Sequence, residues 1–95
     1  KGGLDNMVRQ LAVEWAPYQI TTNSIAPSYF KTEMTTDPAT GEIPTEMLDR
    51  MRQFSPTGRI GEAGEISSSI LFLASRFSSY INGAIIPVDG GWSAW

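Results

Sequence analysis

The chain has 95 residues, of which 41% are hydrophobic and 18% charged, and its formal net charge is −3. It contains neither cysteine nor histidine, so disulfides, thiolate metal sites and Ser-His-Asp or Cys-His catalytic units are excluded within it, and we expect no metal site. Its seven Lys and Arg residues are scattered, no apolar run reaches the roughly 18 residues that span a bilayer, and no secretory signal is evident; we therefore expect no nucleic-acid or membrane partner and a cytoplasmic location.

The first predicted element is an amphipathic helix over residues 2–16, which Pro17 ends. Its apolar residues recur at helical spacing, at Leu4, Met7, Val8, Leu11, Ala12 and Trp15. The preceding stretch KGG offers no Ser, Thr, Asp or Asn to cap the first amide protons. We therefore expect the helix to begin upstream of residue 1, in polypeptide that this sequence does not include.

A strand and a long loop follow. Residues 19–26, QITTNSIA, are rich in β-branched residues and bounded by prolines, which predicts a buried parallel strand that Pro27 stops. Residues 28–42 are rich in Thr, Pro and Gly and predict a loop. A loop of this length is usually functional or disordered.

The rest of the chain predicts two helices and a second strand. The helices cover residues 44–54 and 63–75, the strand covers residues 83–89, and an aromatic tail follows Gly90–Gly91. This order predicts two parallel strands joined by a right-handed crossover, within a three-layer α/β fold. Two parallel strands are too few for an independent sheet, which again points to missing neighbours.

Four motifs give the chain a family resemblance. KGGLDNMVRQLAVEW resembles the helix that continues a Y-x-x-x-K motif, and NSIAPSYFKTEM resembles N-x-x-x-P-G-x-x-x-T. SPTGRIGEAGEI resembles P-x-x-R-x-G-x-P-x-E-I, and SSSILFLASRFSSYINGAIIPVDGG resembles a F-L-A-S-…-Y-I-x-G-…-V-D-G-G ending. In this order, covering nearly all 95 residues, they make the chain similar to the C-terminal part of a classical short-chain dehydrogenase/reductase.

The resemblance implies both a fold and an activity. Residues 1–95 would form the C-terminal segment of one NAD(P)-binding, Rossmann-like domain with a doubly wound parallel sheet, whose N-terminal half is absent. That half would carry the glycine-rich loop, the catalytic Ser and the catalytic Tyr. The parent would interconvert a secondary alcohol and a ketone by hydride transfer with NAD or NADP, and its ending is most similar to gluconate-type dehydrogenases and 3-oxoacyl-carrier-protein reductases.

The isolated chain is expected neither to catalyse nor to bind the dinucleotide tightly, because the implied catalytic Tyr and glycine-rich loop are absent. The alternative is a truncated, non-catalytic module of the same family. Such a module would self-associate or bind a partner, thereby covering its bare sheet edge.

Lys1 is the catalytic candidate that the resemblance implies. A lysine at this position would lower the pKa of the catalytic Tyr through its positive charge and would hydrogen-bond the nicotinamide ribose. In a free 95-residue chain, the alternative is a solvated terminal lysine.

The cofactor-binding candidates are Pro27, Ser28, Phe30 and Thr32. The resemblance implies that the Phe30 backbone holds the nicotinamide carboxamide and that the Thr32 hydroxyl contacts the carboxamide or a phosphate. The alternative is a plain strand-exit turn in which Thr32 caps a short helix. Ser28 departs from the family's usual glycine, adding a Cβ where the backbone approaches the cofactor and disfavouring a positive φ.

Tyr29 and Met34, in the loop up to Ile43, correspond to the variable substrate lid of the family. Their alternative role is to pack the second helix onto the core, which is the interpretation we favour for Met47, Leu48 and Met51. Two further groups are predicted to be structural: the charges of Arg59, Glu62 and Glu65 at the start of the third helix, and Asn23, bonded to neighbouring backbone.

Exposed aromatic and apolar residues predict self-association. The resemblance places Trp15, Ile86, Trp92 and Trp95 at the two interfaces of a homo-oligomer, either a dimer or a tetramer. The alternative is that these side chains pack in the core of their own chain.

Overall fold

The computed structural model describes residues 2–95, and it contains the predicted order of elements. The helices and strands are α1 (Gly2–Trp15), β1 (Ser24–Pro27), α2 (Thr45–Phe54), α3 (Ala63–Ala74) and β2 (Ile85–Val88). Short 3₁₀ turns cover Ala16–Tyr18, Arg76–Ser78 and Trp92–Ala94. The three predicted helices are confirmed to within one residue at each end.

β1 and β2 are neighbours in a two-stranded sheet. Ser24 N donates to Ala84 O (2.8 Å) and Ser28 N donates to Val88 O (3.3 Å). Both partner numbers rise together along the chain, so the pair is parallel as predicted.

The first strand differs from its prediction at both ends. It begins at Ser24 rather than at residue 19, because a 3₁₀ turn and the left-handed Gln19 (φ 62°) occupy the chain just before it. It includes Pro27, which was expected to stop it. Ser24 and Ser28, which donate to Ala84 O and Val88 O, are an even number of residues apart, so Pro27 is out of phase with them and its missing N–H removes no bond to β2.

The described contacts divide residues 2–95 into two compact units, residues 2–26 with Ser68–Ile86 and Pro27–Ser67 with Pro87–Trp95. In the first unit, Val8 and Ala12 of α1 are buried. Asn82 Nδ2 donates to Ala12 O (2.9 Å). Asn23 Nδ2 donates to Ile81 O (2.9 Å), and Asn23 Oδ1 accepts from Ala84 N (3.0 Å), so Asn23 bonds backbone as predicted, but in the segment before β2 rather than in its own strand.

The second unit has its own small core. Met51 of α2 is 2% exposed, and Ile60 and Ser55 are also buried. Met47 and Leu48 are half-buried, so the predicted packing of this helix face is confirmed. Ser55 Oγ donates to Gly90 O (3.2 Å) and lies 3.0 Å from Thr57 Oγ1, which joins the end of α2 to the turn after β2.

Two further properties of residues 2–95 bear on function. None of the helices in that range combines the length and apolar character needed to cross a membrane. No three Asp, Glu, His or Cys side chains of the same range form a group that could hold a metal ion.

Candidate cofactor and substrate site

The segment after β1 is held by a parallel bridge between Phe30 and Gly61. Gly61 N donates to Tyr29 O (3.0 Å) and Lys31 N donates to Gly61 O (2.9 Å). In this pattern the N–H and C=O of Phe30 itself point away from Gly61. The Phe30 carbonyl accepts from Thr35 Oγ1 (2.8 Å), whereas the Phe30 N–H has no acceptor among residues 2–95. The segment therefore presents one open backbone donor.

Thr32 begins a turn that Thr35 organises. Thr32 N donates to Thr35 Oγ1 (2.8 Å), and the backbone amides of Thr35 and Thr36 both donate to Thr32 O (3.1 Å). The Thr32 side chain is exposed, and its hydroxyl lies 3.4 Å from Thr35 Oγ1. Residues 32–36 form a turn rather than the short helix of the alternative interpretation, so the Thr32 hydroxyl caps no helix.

Ser28 adopts an ordinary backbone conformation. Gln19 is the one non-glycine residue with a positive φ in the described part of the chain, so Ser28 avoids the strain that replacing a family glycine was expected to cause. Ser28 is half-buried and Pro27 is exposed.

A small cleft of about 110 Å³ lies beside this segment. It is lined by residues of the second unit: Ser28, Phe30, Thr57, Arg59, Gly61, Glu65, Val88, Asp89 and Gly90. The structure thus brings Ser28 and Phe30 to one cleft, whereas Pro27 and Thr32 are not among its lining residues.

Arg59 and Glu65, two of the three charged residues that line this cleft, pair with each other. Arg59 Nη1 and Nη2 donate to the two carboxylate oxygens of Glu65 (2.8 and 2.6 Å), and Glu62 N donates to Glu65 Oε2 (2.8 Å). The hydrogen bond from Arg59, followed by that from the Glu62 backbone, lowers the pKa of Glu65 from 4.5 to about 2. Glu65 also raises the pKa of Arg59. This confirms the predicted structural role of Arg59 and Glu65 at the start of α3, where Glu62 contributes its backbone N–H.

Asp89 fixes the turn that follows β2, a role that was not predicted from the sequence. Its carboxylate accepts from Ser93 Oγ (2.6 Å), Ser93 N (3.1 Å) and Gly91 N (3.0 Å). The Ser93 hydroxyl bond is the main cause that lowers the pKa of Asp89, with the backbone amides adding to it. The sequence signal was present, since an Asp followed by two glycines, with a Ser four positions after the Asp, favours an Asx-type turn.

A second cleft, of about 320 Å³, lies over α2. It is lined by Tyr29, Pro44, Glu46, Met47, Arg50 and Met51. Of the two predicted substrate residues, Tyr29 lines this cleft, whereas Met34 is 96% exposed and lies outside the lining. Glu46 and Arg50 were not singled out from the sequence, although their spacing on an amphipathic helix places them on one face.

Trp92 packs within its own chain. Its ring centroid lies 5.9 Å from those of both Tyr29 and Phe54. Trp15 is 41% exposed and Trp95 is 78% exposed. Lys1, the predicted catalytic residue, lies outside the described residues.

The fold and the site define the chain as an α/β protein. Its two parallel strands are joined by helices in the β–α–β order of a Rossmann-like sheet. A family model described as enoyl-(acyl carrier protein) reductase matches residues 1–93. The chain belongs to this family, within the short-chain dehydrogenases/reductases, so the predicted family and fold class are confirmed.

Three relatives show which kinds of protein the chain is similar to. It is 43% identical over 95 residues to galactitol 2-dehydrogenase (L-tagatose-forming) of Cereibacter sphaeroides, covering 100% of this chain and 36% of the relative. It is 37% identical over 91 residues to gluconate 5-dehydrogenase of Gluconobacter oxydans, covering 96% and 34% respectively. A solved gluconate 5-dehydrogenase from Burkholderia cenocepacia, in complex with NADP and tartrate, superposes with a TM-score of 0.85 at 33% identity, covering 100% of this chain and 36% of that one.

The chain therefore spans about a third of the length of these relatives.

Proposed function

We propose that this chain is the C-terminal segment of an NAD(P)-dependent oxidoreductase that interconverts a secondary alcohol and a ketone. The observation that carries the proposal is the open Phe30 N–H, located just beyond β1 in a member of a family that includes an NADP-bound relative. In open α/β sheets, ligands bind in the crevice at the carboxyl ends of the strands, which is where this donor lies.

The residues after β1 fit a nicotinamide cofactor. The Phe30 N–H would donate to the carboxamide, and the exposed Thr32 hydroxyl would contact the carboxamide or a phosphate. Pro27 and Ser28 would set the direction in which the chain leaves the strand. NAD or NADP, when bound, would supply the hydride acceptor or donor, and this segment would orient its ring.

We include Lys1 in the proposal on the resemblance of its motif. Its positive charge would favour the phenolate form of a tyrosine in the preceding polypeptide, moving that acid closer to working pH. The isolated 95-residue chain would then be inactive, since its sequence holds the lysine but not the complete proton-transferring pair.

A chimera tests this proposal. The corresponding segment of the Burkholderia cenocepacia gluconate 5-dehydrogenase is replaced by this chain, and NADP-dependent oxidation of gluconate is measured. We expect activity in the chimera and none in the isolated chain. A well-folded chimera that turns over no substrate would refute the proposal, whether or not it binds NADP, and turnover by the isolated chain would refute its inactivity.

Thr32→Ala in the chimera examines the cofactor segment directly. Thr32 Oγ1 has only the long 3.4 Å contact to Thr35, so its removal leaves the turn intact. We expect a rise in the KM for NADP of about tenfold, the typical loss of one hydrogen bond to a charged or strongly polar group. Thr36→Ala is the matched control, because the Thr36 hydroxyl donates within the turn, to Thr32 O (3.0 Å).

A second candidate function is a non-catalytic module that self-associates. Among residues 2–95, fifteen large hydrophobic side chains are exposed, whereas the buried apolar core contains four residues. We propose that Trp15, Ile86 and Trp95 contribute to dimer or tetramer contacts. Sedimentation of the isolated chain tests this: a concentration-dependent dimer or tetramer that Trp95→Ser weakens supports it, and a monomer at all concentrations refutes it.

We also propose a small-molecule alcohol or ketone as the partner and the cytoplasm as the location. The names of the relatives support the first of these. The absence of cysteine, and hence of disulfides, is compatible with the second.

A further inference from the structure

We infer that Arg50 binds the carboxylate of an open-chain polyhydroxy acid in the cleft over α2. This inference rests on the proposed function, because it names the substrate class of that enzyme. It also separates the two subclasses suggested by the sequence, since a gluconate-type substrate carries a free carboxylate and a carrier-linked acyl thioester does not carry one at its reacting end.

The shape of the cleft suits a small molecule. Met51 is 2% exposed at the base, Met47 is half-buried beside it, and the polar side chains are Tyr29, Glu46 and Arg50. Its volume of about 320 Å³ is at the small end of the range for ligand sites.

Arg50 is available to a ligand. Within residues 2–95, no carboxylate oxygen lies within 4.0 Å of its guanidinium, whereas Arg52 pairs with Asp49 (3.3 Å) and Arg59 pairs with Glu65 (2.6 Å). A planar guanidinium binds a carboxylate through two parallel hydrogen bonds, a geometry that a neutral group does not match.

Glu46 complements Arg50 in the same cleft. It lies four residues before Arg50 on α2, a spacing at which the two side chains commonly pair, yet no ion pair joins them in this structure. Two opposite charges that line one cleft without neutralising each other suit a ligand with both a carboxylate and hydroxyl groups. Arg50 would take the carboxylate, and Glu46 and the Tyr29 hydroxyl would bond the hydroxyls.

An apolar acyl chain would fit this cleft badly. It would remove water from Glu46 and Arg50 without supplying polar partners, and desolvation of unpaired charges is costly. A neutral polyol such as galactitol would satisfy Glu46 and Tyr29 but would leave Arg50 without an anion. The cleft therefore favours an acid such as gluconate over a polyol of the same carbon number.

The first experiment measures binding to the chain itself. Saturation-transfer NMR with D-gluconate is compared for the unaltered chain, Arg50→Met, Arg50→Lys and the control Arg52→Met. We expect Arg50→Met to weaken gluconate binding by about tenfold or more, Arg50→Lys to weaken it less, and Arg52→Met to leave it unchanged. Absence of gluconate binding to the unaltered chain, or equal binding by Arg50→Met, would overturn the inference.

The second experiment separates this inference from the proposed function. In the chimera, we expect Arg50→Met to raise the KM for gluconate about tenfold while changing kcat/KM for galactitol less than about twofold. Equal losses for both substrates would overturn the role of Arg50 in recognising a carboxylate. If the unaltered chimera binds NADP but oxidises neither substrate, the proposed function fails, and the NMR comparison still decides whether Arg50 holds a carboxylate.

Discussion

The ring of Phe30 occupies the space that a side chain at position 61 would need. A Cβ built on Gly61 would lie 2.5 Å from Phe30 Cε1 and 2.7 Å from Cδ1. The same two residues form the parallel bridge that turns the Phe30 N–H away from its neighbour. The glycine therefore allows the approach that leaves this donor open for a ligand.

Gly61→Ala should destabilise the protein by about 1–3 kcal/mol, since the added methyl forces the Phe30 ring or the bridge to move. Urea unfolding measures this change. The control is Gly64→Ala, where a Cβ meets nothing within 4 Å and a helical Ala should add up to about 1 kcal/mol of stability.

The double variant Phe30→Leu with Gly61→Ala checks the cause. Removing the ring should make the added methyl less costly than it is beside Phe30. Equal costs of Gly61→Ala in both backgrounds would show that the ring is not responsible.

The Arg59–Glu65 pair should make stability depend on pH in the acid range. The pKa of Glu65 is lowered from 4.5 to about 2, so the fold favours its ionised form. Its contribution is therefore complete above about pH 4.5 and is lost as the pH falls towards 2. We expect the difference in melting temperature between the unaltered protein and Glu65→Gln to shrink across that window.

NMR titration of the Glu65 carboxyl provides the direct measurement. Because the Arg59 hydrogen bond is the largest cause of the lowered pKa, Arg59→Met should raise the pKa of Glu65 back towards its ordinary value. A Glu65 titration that does not respond to Arg59→Met would contradict this assignment.

Gly90 and Gly41 allow a steric clash to be separated from backbone strain. Both have positive φ (63° and 68°), so Ala at either should cost about 1–2 kcal/mol. A Cβ on Gly90 would also clash with Thr57 Oγ1 and lie 2.8 Å from Ser55 Oγ, whereas a Cβ on Gly41 meets nothing within 4 Å. Gly90→Ala should therefore be the more destabilising in thermal unfolding, by a further 1–3 kcal/mol or so. Similar destabilisation by Gly90→Ala and Gly41→Ala would mean that the turn after β2 shifts enough to relieve the clash.

The helices were predictable because their signals are local. The apolar spacing of α1, the Pro near the start of α2 and the Glu65 cap of α3 all lie within or beside the element that they define. The first strand was less predictable, since β-branched residues favour extended backbone but do not reveal where pairing starts. Its start at Ser24 depends on a partner strand some 60 residues away.

The candidate site was likewise predictable from the sequence only in part. The motif containing Phe30 and Thr32 identified the segment after β1, and the structure added the reason that the Phe30 N–H is open, namely the bridge to Gly61. Arg50 was missed because its spacing from Glu46 is that of an ordinary helix-surface pair. Only the structure shows that both charges line a cleft and that they do not pair.

Asn23→Ala should be destabilising because Asn23 satisfies two backbone groups of the segment before β2. Its Nδ2 donates to Ile81 O (2.9 Å) and its Oδ1 accepts from Ala84 N (3.0 Å), both far along the chain. Alanine leaves both groups without these partners in a half-buried setting, at an expected cost of about 1–3 kcal/mol by urea unfolding. Asn6→Ala on the exposed face of α1 is the control and should be neutral or slightly stabilising, since Ala favours helix. Hydrogen exchange adds a local readout: the Ala84 amide should lose protection in Asn23→Ala alone, and unchanged protection there would show that this amide does not depend on Asn23.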